Sequence, residues 1–347
     1  MTTMALDFRL PTELEAHEPP EARGLTRDAV RLLVGRRDSG EVTHHCFTDL
    51  PDVLEAGDVL VVNTSGTMPA AVDILGRRGD DDLVLHVSTE LPHGEWVVEL
   101  RRREPGGATG PYPDAGVGER FTLAGGAHVR LVREYSPGRL WVARLDVPSV
   151  PGYLMAHGRP IRYGYVNRDW PLSTYRSVFA TAPGSAEMPS ASRPFTDALV
   201  TRLVSRGIVF TPITLHTGVA SPEAHEKPYP ERYRVPETTA RLVNEARAAG
   251  RRIIGVGTTA VRAIETAADD RGRLRAASGW TSLVVTPERG VRAIDGLVTG
   301  FHEPRASHLQ MLTAISGERL LADCYAEALR GGYLWHEFGD INLLLPR

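Results

Sequence analysis

Residues 251–265 read RRIIGVGTTAVRAIE, an apolar strand at residues 252–256 that runs through a glycine-rich turn into a helix at residues 259–268. A helix at residues 236–249 comes before it, with proline near its first turn and Gly250 as its left-handed stop. The strands SLVVTP and GLVTGFH and two more helices, at residues 308–315 and 318–329, come after it. Because strands and helices alternate in this way, the sequence predicts a mostly parallel α/β main domain.

The middle of the chain has a different pattern. Between residues 73 and 159, the short strand-like pieces LVLHVST, EWVVELRRR, HVRLVRE and RLWVARLDV are separated by turns rich in glycine and proline. This pattern predicts a small all-β, barrel-like domain, inserted into a main domain that comprises residues 1–72 and 160–347.

The composition is that of a globular protein: of 347 residues, 42% are apolar and 24% are charged, and the formal net charge is −3. No stretch approaches the ~20 apolar residues of a membrane-spanning helix, so we expect a cytoplasmic protein with no membrane partner. The two cysteines, Cys46 and Cys324, lie far apart, which predicts neither a disulfide nor a metal site. The net charge lacks the positive field typical of nucleic-acid-binding proteins, although a local basic patch is compatible with it.

The turn GVGTT at residues 255–259 is the first candidate binding site. It stands between a buried strand and the start of a helix, where backbone N–H groups and hydroxyls suit phosphate, carboxylate or ribose oxygens. The segment lacks the complete G-x-G-x-x-G pattern and the lysine of a P-loop, so a plain tight turn explains it equally well.

Three long motifs carry a resemblance to a known family. They are GVGTTAVRAIE at residues 255–265, SGWTSLVVTP at residues 278–287 and DGLVTGFHEPRASHLQML at residues 295–312, in that order. Shorter matches, among them YRSVFA, TLHTG, ERYRVPE and FGDINLLL, extend the similarity over nearly the whole chain. The sequence resembles the S-adenosylmethionine:tRNA ribosyltransferase-isomerase family of queuosine biosynthesis.

The resemblance implies an enzyme that transfers and isomerises the ribosyl part of S-adenosylmethionine. The acceptor is a 7-aminomethyl-7-deazaguanine base in tRNA, and adenine and methionine are released. S-adenosylmethionine is then a co-substrate, and no prosthetic group is implied. This chemistry needs a base to remove an acidic proton beside the sulfonium, a donor to help adenine leave, and polar groups that hold the ribose.

The matched motifs imply site residues one by one. The implied catalytic residues are His302, His216 and Glu231. The implied substrate-binding residues are Asn63, Thr64, Ser190, Arg193, Tyr233, Gly257, Thr258, Thr259, Arg262, Trp280, Thr281 and Phe301. Trp280 is expected to stack on a planar base, and His302 to transfer or position a proton. Each role has a structural alternative: a strand-end histidine can serve only as a hydrogen-bond donor, a tryptophan can be core, and Arg262 can pair with Glu265 on the helix surface.

The sequence departs from the family pattern where the acceptor is expected. Gly66 and Ala71 stand where arginines are usual, Arg193 and Pro194 where Leu-His is expected, Tyr229 where a histidine is usual, and Gly300 in place of an asparagine. Arginine and histidine act through charge and proton transfer, which glycine and alanine cannot supply. Three alternatives therefore remain beside simple membership of the family: a divergent enzyme with a small-molecule acceptor, a non-catalytic paralogue that binds S-adenosylmethionine, and compensation of the lost charge by Arg193 or another arginine at a new position. A monomer is expected.

Overall fold

The computed structural model describes residues 7–76, 82–104, 107–219 and 229–347. The strands are β1 Arg31–Arg36, β2 Val42–Cys46, β3 Val59–Asn63, β4 Ser65–Thr67, β5 Ala71–Leu75, β6 Leu83–Glu90, β7 Trp96–Arg103, β8 Thr109–Pro111, β9 Arg120–Leu123, β10 His128–Ser136, β11 Leu140–Leu145, β12 Ala182–Ser185, β13 Val209–Leu215, β14 Glu231–Val235, β15 Ile253–Val256, β16 Ala277–Thr281, β17 Gly296–Gly300 and β18 Ile341–Leu345. The α-helices are α1 Leu50–Val53, α2 Val150–His157, α3 Asp197–Ser205, α4 Glu237–Ala248, α5 Thr258–Ala267, α6 His308–Ser316 and α7 Glu318–Arg330. Short 3₁₀ turns join several of them.

The main domain is an α/β unit, as predicted, but its sheet is mixed rather than mostly parallel. Nine strands lie in the order β16-β14-β13-β3-β15-β17-β18-β1-β2. Four adjacent pairs are parallel (β13–β3, β3–β15, β15–β17 and β18–β1), and the other four are antiparallel. One reason is the connection between β17 and β18, which contains two consecutive helices, α6 and α7. After two helices the chain is back at the end of the sheet where β17 finished, so β18 runs antiparallel to β17. Periodicity predicts an element's type but not its direction.

Helices cover both faces of the sheet. Along β3, Val59 and Val61 pack with α4 to α7, whereas Leu60 and Val62 pack with α1 and α3 on the other face. Because consecutive side chains of a strand point to opposite faces, a continuous apolar run such as VLVVN is what a doubly covered strand requires. The neighbouring parallel strands β13, β3, β15 and β17 end at one edge, and the loops that follow them meet there.

The insert is a closed barrel, which confirms the barrel-like prediction. The six strands β5, β6, β7, β9, β10 and β11 pair antiparallel throughout, and the β11–β7 pairing closes the ring. β8 extends β7 outside the ring. Closure leaves no unpaired edge within the ring, and apolar residues such as Leu85, Val98 and Trp141 fill the core. The predicted domain boundaries, with the insert at residues 73–159, stay a prediction.

Buried histidines of the fold should make it sensitive to acid, and His86 in the barrel is the clearest case. Its side chain is buried, and desolvation together with Arg101 and Arg159 lowers its pKa to about 3 from 6.5. Between pH 6.5 and about 3 His86 is therefore protonated in the unfolded chain but neutral in the folded barrel. The stability that this neutral histidine allows above pH 6.5 is lost as the pH falls through this window. The expected slope is about 1.4 kcal/mol per pH unit for each such group.

His86→Gln should flatten the decline of the unfolding free energy between pH 6.5 and pH 4, as measured by urea denaturation. His93→Asn, at an exposed barrel position, is the matched control and should keep the wild-type slope. Equal slopes for wild type and His86→Gln would contradict this assignment.

Candidate functional site

A cleft of about 500 Å³ opens at the carboxyl edge of the main sheet and reaches the barrel. The main domain contributes the loops after β12, β13, β15 and β17, and the barrel contributes residues of β6, β7, β10 and β11. Of the predicted site residues, the following line it: Ser190, Glu231, Gly257, Thr258, Thr259, Arg262, Phe301 and His302. The position agrees with the rule that open α/β sheets bind ligands beyond the carboxyl ends of their strands.

The GVGTT turn places the N-terminus of α5 at this cleft. Gly257 adopts a left-handed φ of 88°, which permits the sharp change from β15 into α5. Thr258 and Thr259 follow in the first turn, where free backbone N–H groups favour an anionic group. Asn63 does not line the cleft. It is fully buried, and its amide donates to the Leu215 carbonyl at 2.9 Å and to the Thr259 hydroxyl at 3.2 Å, so it holds this threonine in place.

An ion pair between Glu231 and Arg262 forms one wall. The guanidinium contacts the Glu231 carboxylate directly and also donates to the Leu283 carbonyl at 3.1 Å. Burial raises the pKa of Glu231, and Arg262 opposes that rise. The alternative pairing of Arg262 with Glu265 is wrong, because Glu265 pairs with Arg289 at 2.8 Å. Thr281 lies behind this wall: its hydroxyl bonds to that of Thr266 at 2.7 Å.

His302 follows β17 and is held from several directions. Its Nε2 bonds to the Thr299 hydroxyl at 2.9 Å, its backbone N–H donates to the Tyr325 hydroxyl at 3.1 Å, and its ring stacks on His308 at 4.6 Å. Burial holds the pKa of His302 well below its usual value, with a smaller effect from nearby His308. His302 is therefore a fixed, neutral imidazole at physiological pH. Phe301 packs its ring on Trp335 at 4.8 Å, within the core.

The aromatic wall of the cleft is not the predicted one. Tyr163 and Tyr165 stack at 5.7 Å with 9° between their planes, and Tyr165 stacks on His336 at 4.0 Å with 12°. All three rings line the cleft. Neither tyrosine nor His336 was predicted as a site residue, because Tyr163 and Tyr165 lie outside the helices and strands, where no periodic pattern indicates a shared face.

Trp280 lies outside the cleft, on the exposed face of β16. It is 40% exposed and stands opposite Arg232 of β14, while its neighbour Thr281 turns toward α5. The same alternation exposes Arg234 and buries Tyr233, which belongs to the main core. We call Arg232, Arg234 and Trp280 the β14–β16 face.

His216 and Thr64 are also removed from the cleft. The Nδ1 atom of His216 bonds to the Ser65 hydroxyl at 2.8 Å, and that hydroxyl bonds to Ser185 at 2.6 Å. Burial lowers the pKa of His216 to about 4. The Thr64 hydroxyl donates to the Ile213 carbonyl at 3.0 Å. These bonds tie β4, β12 and β13 together, which is the structural alternative for a histidine at a strand end.

The guanidinium of Arg193 is buried and paired with Glu21, away from the cleft. It is 3% exposed, and its guanidinium donates to both oxygens of Glu21, at 3.1 and 2.8 Å, and to the Thr174 carbonyl at 2.9 Å. It also lies over the Phe338 ring at 5.1 Å. Compensation of the lost family arginines by Arg193 is therefore not supported.

Within the described ranges, no cluster of three or more histidine, cysteine or acidic residues is arranged to hold a metal ion. Cys46 and Cys324 are free thiols. No helix of the described part of the chain is long and apolar enough to cross a bilayer.

Comparisons with known proteins agree on one family. The family described as "Queuosine biosynthesis protein" matches residues 3–344. The S-adenosylmethionine:tRNA ribosyltransferase-isomerases of Symbiobacterium thermophilum and Moorella thermoacetica are each 34% identical to the chain, over 98% of it and 98% of their own lengths. The crystal structure of the S-adenosylmethionine tRNA ribosyltransferase from Thermotoga maritima is similar with a TM-score of 0.55 and 28% identity, covering 98% of this chain and 99% of that one.

Proposed function

The chain belongs to the queuosine biosynthesis protein family, and from that membership we propose that it is an S-adenosylmethionine:tRNA ribosyltransferase-isomerase. It transfers the ribosyl part of S-adenosylmethionine to a 7-aminomethyl-7-deazaguanine base in tRNA and releases adenine and methionine. The observation that carries this proposal is similarity over the full length to relatives of that name. It acts in the cytoplasm, where tRNA is found, and a monomer remains our expectation.

The cleft supports this function through complementary groups. The N-terminus of α5, at Gly257 to Thr259, suits the carboxylate of the methionine part or the ribose hydroxyls. The rings of Tyr163, Tyr165 and His336 stack on one another at the cleft wall, and we assign the adenine to this aromatic wall. We assign proton positioning to His302 rather than His216, because only His302 lines the cleft.

The β14–β16 face supports tRNA as the acceptor. Two exposed arginines beside an exposed tryptophan combine phosphate contact with base stacking, which single-stranded nucleic acid favours. The weak overall charge is compatible with such a local surface. The small-molecule acceptor is less favoured, because the full-length relatives carry tRNA in their names.

The direct test incubates the protein with S-adenosylmethionine and tRNA that carries the 7-aminomethyl-7-deazaguanine base. Adenine, methionine and a mass-shifted nucleoside should appear together by mass spectrometry. Adenine release that needs a small acceptor and leaves tRNA unchanged would establish the alternative enzyme. Saturable binding without adenine release would establish the non-catalytic paralogue.

The aromatic wall gives a prediction about affinity for S-adenosylmethionine. Tyr165→Leu should weaken binding by about 1–3 kcal/mol, because the aromatic wall that a base stacks on loses the ring that contacts both Tyr163 and His336. Trp280→Ala, outside the cleft, should leave the affinity within about twofold. Calorimetry measures both. Weakening by Trp280→Ala with no effect of Tyr165→Leu would restore the sequence-based assignment.

A further inference from the structure

The turn between α7 and β18 brings a carboxylate to the cleft that sequence comparison did not single out. Glu337 lines the cleft, and its Oε2 atom is buried with no hydrogen-bond partner among the residues that the structure describes. The Tyr165 hydroxyl, at the same wall, is also buried without a hydrogen-bond partner within that set, whereas His336 Nε2 faces the Glu15 carboxylate at 3.8 Å. Buried polar atoms in native proteins are nearly always satisfied, so two such atoms at one cleft wall indicate a place for a polar ligand.

The turn that carries Glu337 is held firmly. His336 adopts a left-handed φ of 72°, unusual for a residue other than glycine, and its ring is fixed on Tyr165 at 4.0 Å. Phe338 is buried against Tyr175 at 5.5 Å and beneath the Arg193 guanidinium at 5.1 Å. A strained residue that its surroundings hold in place is characteristic of functional sites. The Glu337 backbone is therefore fixed on both sides.

Glu337 differs from the other carboxylates of the cleft. Glu231 is neutralised by Arg262 and also accepts from the Gly218 N–H at 3.2 Å. Glu187 has contacts of its own, and Glu303 is exposed, with an oxygen 3.9 Å from His336 Nδ1. Burial raises the pKa of Glu337 to about 7. At neutral pH it can therefore both take up and release a proton, as a general base must.

We propose that Glu337 is the general base that removes the proton from the carbon beside the sulfonium of S-adenosylmethionine. This assignment rests on the proposed function. The C–H bond breaks, its electron pair stays on carbon as an ylide stabilised by the positive sulfur, and the proton forms an O–H bond on the Glu337 carboxylate. The carboxylate thereby becomes a neutral carboxylic acid, which its poorly solvated position favours.

The test compares Glu337→Gln with wild type in two assays. The first is adenine release with S-adenosylmethionine and the tRNA substrate. The second is deuterium uptake from heavy water at the ribose carbon beside the sulfonium, followed by mass spectrometry without any acceptor. Glu337→Gln should lower both rates by about 10²–10⁴-fold. Its dissociation constant for S-adenosylmethionine should stay within about threefold, since the amide keeps the shape of the carboxylate. Glu245→Gln, on the exposed face of α4, is the matched control and should match wild type.

Two further readouts separate catalysis from structure. The wild-type rate should rise with pH through about 7, and this inflection should be absent in Glu337→Gln. Glu337 contributes to the raised pKa of Tyr163, and the other titratable and charged groups at this wall and in the small pocket behind it are Arg27, Tyr165, Glu187, Arg193, Glu303 and His336. The folded-state pKa lies above the ordinary value of 4.5, so this carboxyl costs stability as the pH rises through that window. Glu337→Gln should therefore melt at a higher temperature than wild type at pH 8, with a smaller gain at pH 5.

Each other outcome is informative. Unchanged deuterium uptake in folded Glu337→Gln would overturn the assignment, and so would a raised KM with an unchanged kcat, which indicates binding alone. Uptake by wild type without transfer to tRNA would leave Glu337 as the base and refute the proposed acceptor. Neither uptake nor adenine release by wild type would refute the base and the proposed function together. Glu337→Asp provides a second carboxylate variant and should retain part of the uptake if the Gln variant fails to fold.

Discussion

Replacing His302 by Gln is expected to lower the kcat for adenine release by about 10²–10³-fold, the usual cost of losing one preorganised hydrogen-bond donor. The imidazole is neutral and fixed by Thr299 and His308, so it can polarise a leaving base without first changing its protonation state. A neutral imidazole with a lowered pKa serves other enzymes in this way. Glutamine keeps a polar group near Thr299 but lacks the ring geometry and the His308 stack.

His216→Gln is the matched control, because His216 is also a half-buried, neutral histidine but lies outside the cleft. Its turnover should remain within about threefold of wild type, while its unfolding free energy falls through loss of the bond to Ser65. Initial rates of adenine release measure turnover, and thermal unfolding measures stability, for both histidine variants. The opposite result, an inactive His216 variant and an active His302 variant, would reverse the assignment.

Much of the fold could be predicted because it depends on local patterns. Apolar runs followed by helical periodicity identified the α/β unit, and short strands between turns identified the barrel. The direction of each strand could not be predicted, because it depends on how many helices connect it to the strand before it and at which end of the sheet the chain re-enters. The reversal of β18 against β17 through α6 and α7 has no signature within either strand.

The predicted site residues reach the cleft only where motif and geometry coincide. The GVGTT turn, Glu231, Arg262 and His302 lie at the cleft because they sit at ends of neighbouring strands or on α5. The ion pair of Arg193 could not be predicted from the sequence, because its partner, Glu21, lies 172 positions away in the chain. The exposure of Trp280 could not be predicted either, because the register of its strand with Arg232 appears only in the folded sheet. Glu337 could not be identified from the sequence, because the burial of its Oε2 atom without a hydrogen-bond partner among the described residues appears only in the folded structure.

The β14–β16 face leads to the second large expected effect, on tRNA binding. Each phosphate contact adds about 0.7–0.9 to the slope of log affinity against log salt, which amounts to roughly five- to eightfold in affinity at 0.1 M salt relative to 1 M salt. The double variant Arg232→Gln/Arg234→Gln should therefore bind tRNA about 25–60-fold more weakly at 0.1 M salt and reduce the slope by about 1.4–1.8. Its affinity for S-adenosylmethionine should not change, because neither arginine lines the cleft.

The control carries the same loss of charge at a distant surface. Arg319→Gln/Arg330→Gln removes two exposed arginines of α7, and should keep the slope if contact with the β14–β16 face, rather than net charge, sets the affinity. Trp280→Ala should weaken tRNA binding with little change of slope, because stacking releases no counterions. Filter-binding titrations between 50 and 200 mM salt measure all three variants. Equal slopes for the two double variants would place the tRNA elsewhere on the molecule. A loss of tRNA affinity and slope that is confined to Arg232→Gln/Arg234→Gln would identify the β14–β16 face as a tRNA-binding surface.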